Sequence, residues 1–263
     1  MSPRVFAVVS AEPTAAESLA HFCEKLGRAT ALSVQPRVLS SYAELEQAAL
    51  AGEVDLCWAP PLVAIDLEDA GAAQSVVVVH RSTRAGYHSA LFTRADSRFS
   101  SVEQLRAAKV AWVSKHSASG YFAPRWHLRS MGVRLDQAFA EETVLGSHEA
   151  VTRAVLDQSV DVGATHVGLD PVSGKLAAAP WLVLGLGPSA VRVLLLIGPI
   201  PGDVIAMSAR VEPAARRQLV AALVAMKDDE TSRSLFEAGQ FDPAPEGHLD
   251  LLRRLSRFRE TNA

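Results

Sequence analysis

The chain has 263 residues, of which 49% are hydrophobic and 21% are charged, and its formal net charge is −3. This length and composition are typical of a globular protein with a substantial core and exclude a disordered or fibrous chain. Since Lys and Arg are scattered and the net charge is negative, the sequence gives no electrostatic basis for nucleic-acid binding. Cys23 and Cys57 lie in apolar contexts without metal-ligand spacing, which predicts buried thiols and no metal site.

The N-terminal segment predicts a first strand rather than a targeting signal. Its apolar stretch VFAVV (5–9) is too short for the core of a signal peptide, and Glu12 follows closely. No apolar run approaches the roughly 18 residues of a membrane span, so membrane insertion is not expected. The expected location is therefore cytoplasmic, or periplasmic if a signal peptide has been removed.

Strand-like and helix-like segments alternate along the first part of the chain. Strands are predicted at 4–10, 34–39, 54–60 and 75–81, and helices at 13–28, 40–52 and 62–71. The helix at 13–28 has Leu19, Phe22, Cys23 and Leu26 spaced for one buried face. This alternation favours an α/β fold with largely parallel sheets.

The alternation continues to the end of the chain. Further strands are predicted at 88–97, 110–113, 142–146, 161–167, 182–190 and within 191–209, and helices at 101–109, 119–131, 147–160, 212–227 and 246–259. Strand-rich stretches near 80–95 and 191–208 flank a block with its own strand–helix alternation. A block inserted through two crossings indicates two lobes that close on a ligand by hinge bending. A single doubly wound sheet is also compatible with this pattern.

The sequence SKHSASGYFAP (114–124) concentrates hydroxyl side chains between an apolar run and a predicted helix. One interpretation is helix capping, in which a serine side chain accepts a hydrogen bond from the first turn. The other is an anion site, since a helix start presents unpaired N–H groups and partial positive charge. Neither interpretation is excluded by this stretch alone.

Several segments, taken in order, resemble the phosphate/phosphite/phosphonate-binding proteins of ABC transporters, which have the type 2 periplasmic-binding-protein fold. The resemblance covers nearly the whole chain. It is carried by SYAELEQAALAGEVDLCWAPP, GYHSALFTRADSRFSSVEQLRAAKVAWVSKHSASGYFAP, SHEAVTRAVLDQSVDVGA and PIPGDVIAMSARVEPAARRQLVAALVAM. It implies an α/β protein with a ligand cleft between two lobes joined by crossover strands. The implied lobes are 1–85 with 198–263, and 86–197.

The resemblance also implies a set of ligand-binding residues. These are Tyr42, Tyr87, Ser117, Ala118, Ser119, Gly120, His148 and His166. Alternative roles stay open for them: interlobe packing for the two tyrosines, a solvated helix start for His148, and a core or surface position for His166. A histidine beside an oxyanion would make affinity depend on pH.

Three positions depart from the family pattern. Ala118 stands where the family commonly has a hydroxyl residue, so one side-chain donor is missing. His166 stands where the family often has an acid, which favours an oxyanion without an amine. Pro60 removes a backbone donor where the family tends to have glycine. Trp58, beside it, is expected to pack in the core rather than to line a cleft.

The predicted function is a non-enzymatic binding protein for a small phosphate-, phosphite- or phosphonate-type oxyanion. It has no catalytic residue, metal or cofactor, because no dinucleotide motif, metal-ligand spacing or nucleophile triad occurs. A cytoplasmic form would act as a sensor or regulator whose lobe closure is recognised by a protein partner. The alternatives are an enzyme on the same scaffold, with His148 or His166 as general base, and an interaction module with a degenerate site.

Overall fold

A computed structural model describes residues 3–10, 12–80, 86–226, 230–236 and 240–257. The chain divides into two units, the first formed from the described residues of 1–81 and 201–258, and the second from those of 82–200. The predicted lobe boundaries remain a prediction. None of the described helices has the length and apolar character needed to cross a bilayer.

The strands are β1 (Arg4–Val9), β2 (Val34–Leu39), β3 (Leu56–Ala59), β4 (Ala73–His80), β5 (Tyr87–Arg94), β6 (Lys109–Trp112), β7 (Glu141–Val144), β8 (Val162–Leu169), β9 (Leu176–Ala178), β10 (Val191–Ile200), β11 (Val204–Ser208) and β12 (Gln240–Pro243). The α-helices are α1 (Ala15–Thr30), α2 (Tyr42–Leu50), α3 (Pro61–Asp69), α4 (Ala123–Ser130), α5 (His148–Leu156), α6 (Pro180–Val183), α7 (Pro213–Ala225), α8 (Glu230–Phe236) and α9 (Asp250–Ser256).

The first unit is built on a mixed sheet with the strand order β12-β4-β11-β3-β1-β2. β1 runs parallel to β2 and β3, whereas β11 is antiparallel to β3 and β4. The predicted face of α1 is confirmed: Leu19, Phe22, Cys23 and Leu26 are all buried in the core of this unit. The parallel pairing brings the carboxyl ends of β1 and β3 to the same edge of the sheet.

The second unit has the strand order β10-β5-β8-β6-β7, with β9 paired to β8. β6 is parallel to β7 and β8, and β5 is antiparallel to β8 and β10. Apolar cores cover both faces of this sheet: one includes Trp112 and Leu128 of α4, and the other includes Trp181 and Val151 of α5. The carboxyl ends of β6, β7 and β8 therefore meet at one edge, between helices that cover opposite faces.

The α/β class is confirmed, but some local predictions are wrong. Residues 182–190, predicted as strand, contain the end of α6 and a 3-10 turn at Pro188–Ala190. Pro180 and Pro188 stand at the first positions of these turns, where proline's fixed φ favours helical geometry. The predicted helix at 101–109 is a 3-10 helix over Val102–Ala107.

Candidate functional site

Polar side chains gather at the carboxyl edge of the parallel strands in the second unit. The loop from Ser114 to Ser117 follows β6, His148 begins α5 shortly after β7, and His166 lies toward the end of β8. This edge is where open α/β sheets bind ligands, because loops and helix starts converge there. The sequence-predicted residues of this unit are therefore placed on neighbouring elements.

The helix after β6 begins with a π-helical turn over Ala118–Phe122, which continues directly into α4. Ser117 is its N-cap: the Ser117 Oγ accepts a hydrogen bond of 2.9 Å from the Gly120 N–H. The capping interpretation of Ser117 is thus what the structure shows. Its hydroxyl proton is still available to a ligand, because a hydroxyl can accept and donate at once. π-turns within helices occur frequently at functional sites.

The first amides of this helix are buried donors. Ala118 and Ser119 are each 2% exposed, and no described residue accepts a hydrogen bond from their backbone N–H groups. The Ser119 hydroxyl likewise has no partner in the described part of the chain. The first amides of a helix have no acceptor within the helix, so these donors are available to an acceptor from outside the protein.

The helix start is held against the sheet by two contacts. The Ser89 hydroxyl on β5 donates to the Ser119 carbonyl oxygen at 2.6 Å. A Cβ at position 120 would lie 2.3 Å from Cγ2 of Val113, and the Val113 N–H donates to the Gly120 carbonyl at 3.0 Å. The close approach to the end of β6 therefore requires glycine at position 120, and contact of Gly120 with a ligand stays a prediction. Both contacts fix the direction of the Ala118 and Ser119 amides.

His148 occupies the first position of α5, whose N-cap is Ser147. Its Nδ1 lies 2.9 Å from the Thr165 Oγ1, and its ring meets the His166 ring edge-to-face, with 4.5 Å between centroids. His166 is paired with Ser89 across β5 and β8, so the two side chains share a face of the sheet. The π-turn also packs against β8 and β5. The structure thus brings the predicted residues Ser119, His148 and His166 into one neighbourhood.

Charged groups of both signs lie near this edge. Lys115 lies in the loop after β6, and Glu149, next to His148, pairs with Arg153 at 2.7 Å between carboxylate and guanidinium. His88 on β5 has a pKa lowered from its ordinary value because burial disfavours the charged imidazolium.

Tyr87 and Tyr42 lie in different units. Tyr87 is the first residue of β5 and pairs with Ile200 of β10, within the second unit. Tyr42 begins α2 in the first unit, after the N-cap Ser41, whose side chain accepts from the Glu44 N–H. Contact of either tyrosine with a ligand stays a prediction.

Tyr42 lines a small cavity of the first unit that the sequence analysis did not identify. The cavity measures about 40 Å³ and is lined by Val9, Tyr42, Trp58, Pro60 and Asp203. This is enough room for a buried water molecule. Trp58 lines this cavity and also packs edge-to-face on Phe236 in the core. Asp203 is only 8% exposed, and it is a functional candidate that sequence reasoning missed.

The segment that carries Asp203 is held by the C-terminal part of the first unit. The Nε2 of His248 lies 3.0 Å from the Gly202 carbonyl oxygen, to which it donates. The Asp203 carbonyl accepts from the Val79 N–H at 2.8 Å. His248, which received no role from the sequence, therefore supports the turn into β11.

The sequence matches a family model described as "ABC transporter, phosphonate, periplasmic substrate-binding protein" over residues 6–250. A search of curated proteins by sequence found no match.

Similar solved structures cover the whole fold at low sequence identity. XAC2383 from Xanthomonas citri bound to ATP is 21% identical, with 100% of both chains covered and a TM-score of 0.77. A binding protein component of an ABC phosphonate transporter from Pseudomonas aeruginosa is 19% identical, with 99% of this chain and 87% of that chain covered and a TM-score of 0.80. PhnD1 from Prochlorococcus marinus in complex with methylphosphonate is 15% identical, with 98% and 99% covered and a TM-score of 0.76.

Proposed function

Since this chain belongs to the family of periplasmic substrate-binding proteins of phosphonate ABC transporters, we propose that it binds a small phosphorus oxyanion of the phosphonate, phosphite or phosphate type without transforming it. The ligand's negatively charged oxygens lie at the start of the helix after β6 in the second unit. Ala118 and Ser119 donate through their backbone amides, and Ser117 and Ser119 through their hydroxyls. His148 and His166 complete the set of donors on that unit.

The observation that carries this proposal is the pair of buried amides at Ala118 and Ser119, which have no acceptor in the described structure. A tetrahedral oxyanion satisfies such donors with no Lys or Arg, because the helix start carries partial positive charge. The absence of the side-chain hydroxyl at Ala118 leaves its amide in place.

The organic part of the proposed ligand could be that of a phosphate ester or that of a phosphonate. XAC2383 was solved with ATP and PhnD1 with methylphosphonate, so a phosphate ester and a phosphonate are both suitable probes for this chain. Tyr42 and Tyr87 are proposed to contact the ligand, and Asp203, which lines the same first-unit cavity as Tyr42, is a further candidate to be tested. A sensor role, in which a protein partner recognises the liganded form, is proposed as the alternative to delivery to a transporter.

Isothermal titration calorimetry with phosphate, phosphite, sulfate, methylphosphonate, aminoethylphosphonate and ATP tests the proposal. The decisive variant is Ala118→Pro, which deletes one amide donor. Proline is suited to the first position of a helix, and the extended backbone of Ser117 (φ −85°, ψ 121°) is what proline requires of its predecessor. We expect about 10- to 100-fold weaker binding, as for loss of a hydrogen bond to a charged group.

The matched control is Ala118→Ser, which keeps the amide and adds a hydroxyl, and for which we expect affinity equal to or tighter than that of the wild type. Tyr42→Phe and Asp203→Asn test whether the first unit contacts the same ligand. The proposal is wrong if none of the probes binds, or if Ala118→Pro binds as tightly as Ala118→Ser. Chemical turnover of a bound probe would instead support the enzymatic alternative.

A further inference from the structure

Thr165 makes an informative contact at the edge of the second unit's sheet. It is completely buried on β8, and its Oγ1 lies 2.9 Å from Nδ1 of His148. Among the residues that the structure describes, this nitrogen is the one hydrogen-bond partner of the Thr165 hydroxyl. The hydroxyl carries a single proton, and a buried donor left without an acceptor is unfavourable. The Thr165 proton therefore points to Nδ1, and Nδ1 accepts it.

From this contact we infer that Thr165 is a positioning residue that holds His148 as the neutral tautomer with its proton on Nε2. A neutral imidazole has one N–H, so an accepting Nδ1 leaves the proton on the other nitrogen. The inference rests on the proposed function, and it deepens that function by stating how His148 acts. His148 donates to the ligand's oxyanion through Nε2 as a neutral side chain, so binding does not require an imidazolium.

The elements packed against α5 are β8, β5, β6 and α6. The nearest titratable group is His166 of β8, whose ring meets the His148 ring at an interplanar angle of 83°. On β5, His88 has a pKa lowered by burial, and Arg94 bonds the Leu156 carbonyl at the far end of α5.

The remaining charges around α5 are already paired. On β6, Lys109 is paired with Glu141 at 3.4 Å. On α5 itself, Glu149 is paired with Arg153. The sequence of α6, PWLV, contains no titratable side chain.

The experiment compares Thr165→Val with Thr165→Ser over the pH range in which an ordinary histidine titrates. Valine keeps the β-branched shape at this buried strand position but cannot donate, whereas serine keeps the hydroxyl. At each pH, calorimetry gives the ratio of the variant's Kd to the wild-type Kd for methylphosphonate. The ligand's own ionisation cancels in this ratio.

For Thr165→Val we expect a Kd ratio of about 10 at pH 8, because the His148 proton is then free to move to Nδ1. The ratio should approach 1 at a pH low enough for the imidazolium, with protons on both nitrogens, to form. For Thr165→Ser the ratio should stay near 1 throughout. A Thr165→Val ratio that stays at 1, or that is raised equally at every pH, overturns the inference.

A second readout does not depend on binding. Two-bond ¹H–¹⁵N spectra of the ligand-free wild type, with the His148 signals assigned by their loss in His148→Gln, report which ring nitrogen carries the proton. At pH 8 we expect a protonated Nε2 and an unprotonated Nδ1, and the opposite tautomer would overturn the inference. If no probe binds the wild type, the proposed function fails and the spectrum decides the tautomer. If Ala118→Pro weakens binding while Thr165→Val does not, only the inference fails.

Discussion

The Ser89 hydroxyl on β5 donates a 2.6 Å hydrogen bond to the Ser119 carbonyl oxygen, although 30 residues separate the two serines. Ser89 also pairs across the sheet with His166. A single side chain thus joins the start of the helix after β6 to the strands that carry the candidate histidines. This contact couples the geometry of the candidate anion site to the stability of the second unit.

We expect Ser89→Ala to lower the free energy of unfolding by about 1–2 kcal/mol, because the fully buried hydroxyl and its bond are lost. Oxyanion affinity should fall as well, since the Ser119 turn loses its tie to the sheet. Urea denaturation and calorimetry measure the two effects. Ser75→Ala is the control, because the buried Ser75 Oγ has no hydrogen-bond partner among the described residues and its removal should not destabilise the protein.

Gly120→Ala should destabilise the protein by about 1–3 kcal/mol through overpacking, because the new methyl group would lie 2.3 Å from Cγ2 of Val113. Gly187→Ala is the matched control: its Cβ would meet only the Ser189 Oγ, at 3.8 Å. Thermal unfolding of both variants checks this expectation. In a double-mutant cycle, Val113→Ala should recover part of the loss in Gly120→Ala; strictly additive losses would contradict the assigned contact.

Burial of His88 predicts that stability decreases in acid. The pKa of His88 is lowered in the folded protein, so below the unfolded value of about 6.5 the unfolded chain binds more protons than the native chain does. The stabilisation is present above that pH and is lost as pH falls through it. Urea denaturation between pH 5 and 7.5 should show a steeper loss for the wild type than for His88→Phe, and parallel curves would contradict the prediction.

The two cysteines should be unreactive in the native protein. Burial raises the pKa of Cys23 and of Cys57 to about 12, so almost no thiolate exists at pH 8. An aromatic disulfide reagent should label both thiols only under unfolding conditions. A Ser130→Cys variant, whose new thiol is exposed, provides the control for prompt reaction. Labelling of the native wild type as fast as that of Ser130→Cys would show that burial does not protect these thiols.

The order of elements could be predicted because apolar periodicity is local. The buried face of α1 was read from Leu19, Phe22, Cys23 and Leu26, and the structure confirms it. The stretch at 182–190 was predicted wrongly because its apolar residues match a strand, while proline at two turn starts directs the backbone into helical turns.

The chemistry of individual positions was less accessible to sequence reasoning. Asp203 lies in the apolar run PIPGDVIAM, and its proximity to Tyr42 and Trp58 arises only when distant strands are placed side by side. Thr165 was overlooked beside His166, because its hydroxyl forms a hydrogen bond with Nδ1 of His148, which lies on another element. The packing of Gly120 on Val113 was not predicted, because it also depends on two elements meeting in space, and its contact with a ligand stays a prediction.

The donors at Ala118 and Ser119 are main-chain amides, and a main-chain amide is encoded by every amino acid except proline. Almost any codon change within SAS would therefore preserve these two hydrogen-bond donors while altering the side chains around them. In the proposed site, the affinity for the charged end of a ligand would therefore tolerate most point mutations at these two positions. The preference for one organic substituent over another would rest on exchangeable side chains, and could change without loss of the proposed anion binding.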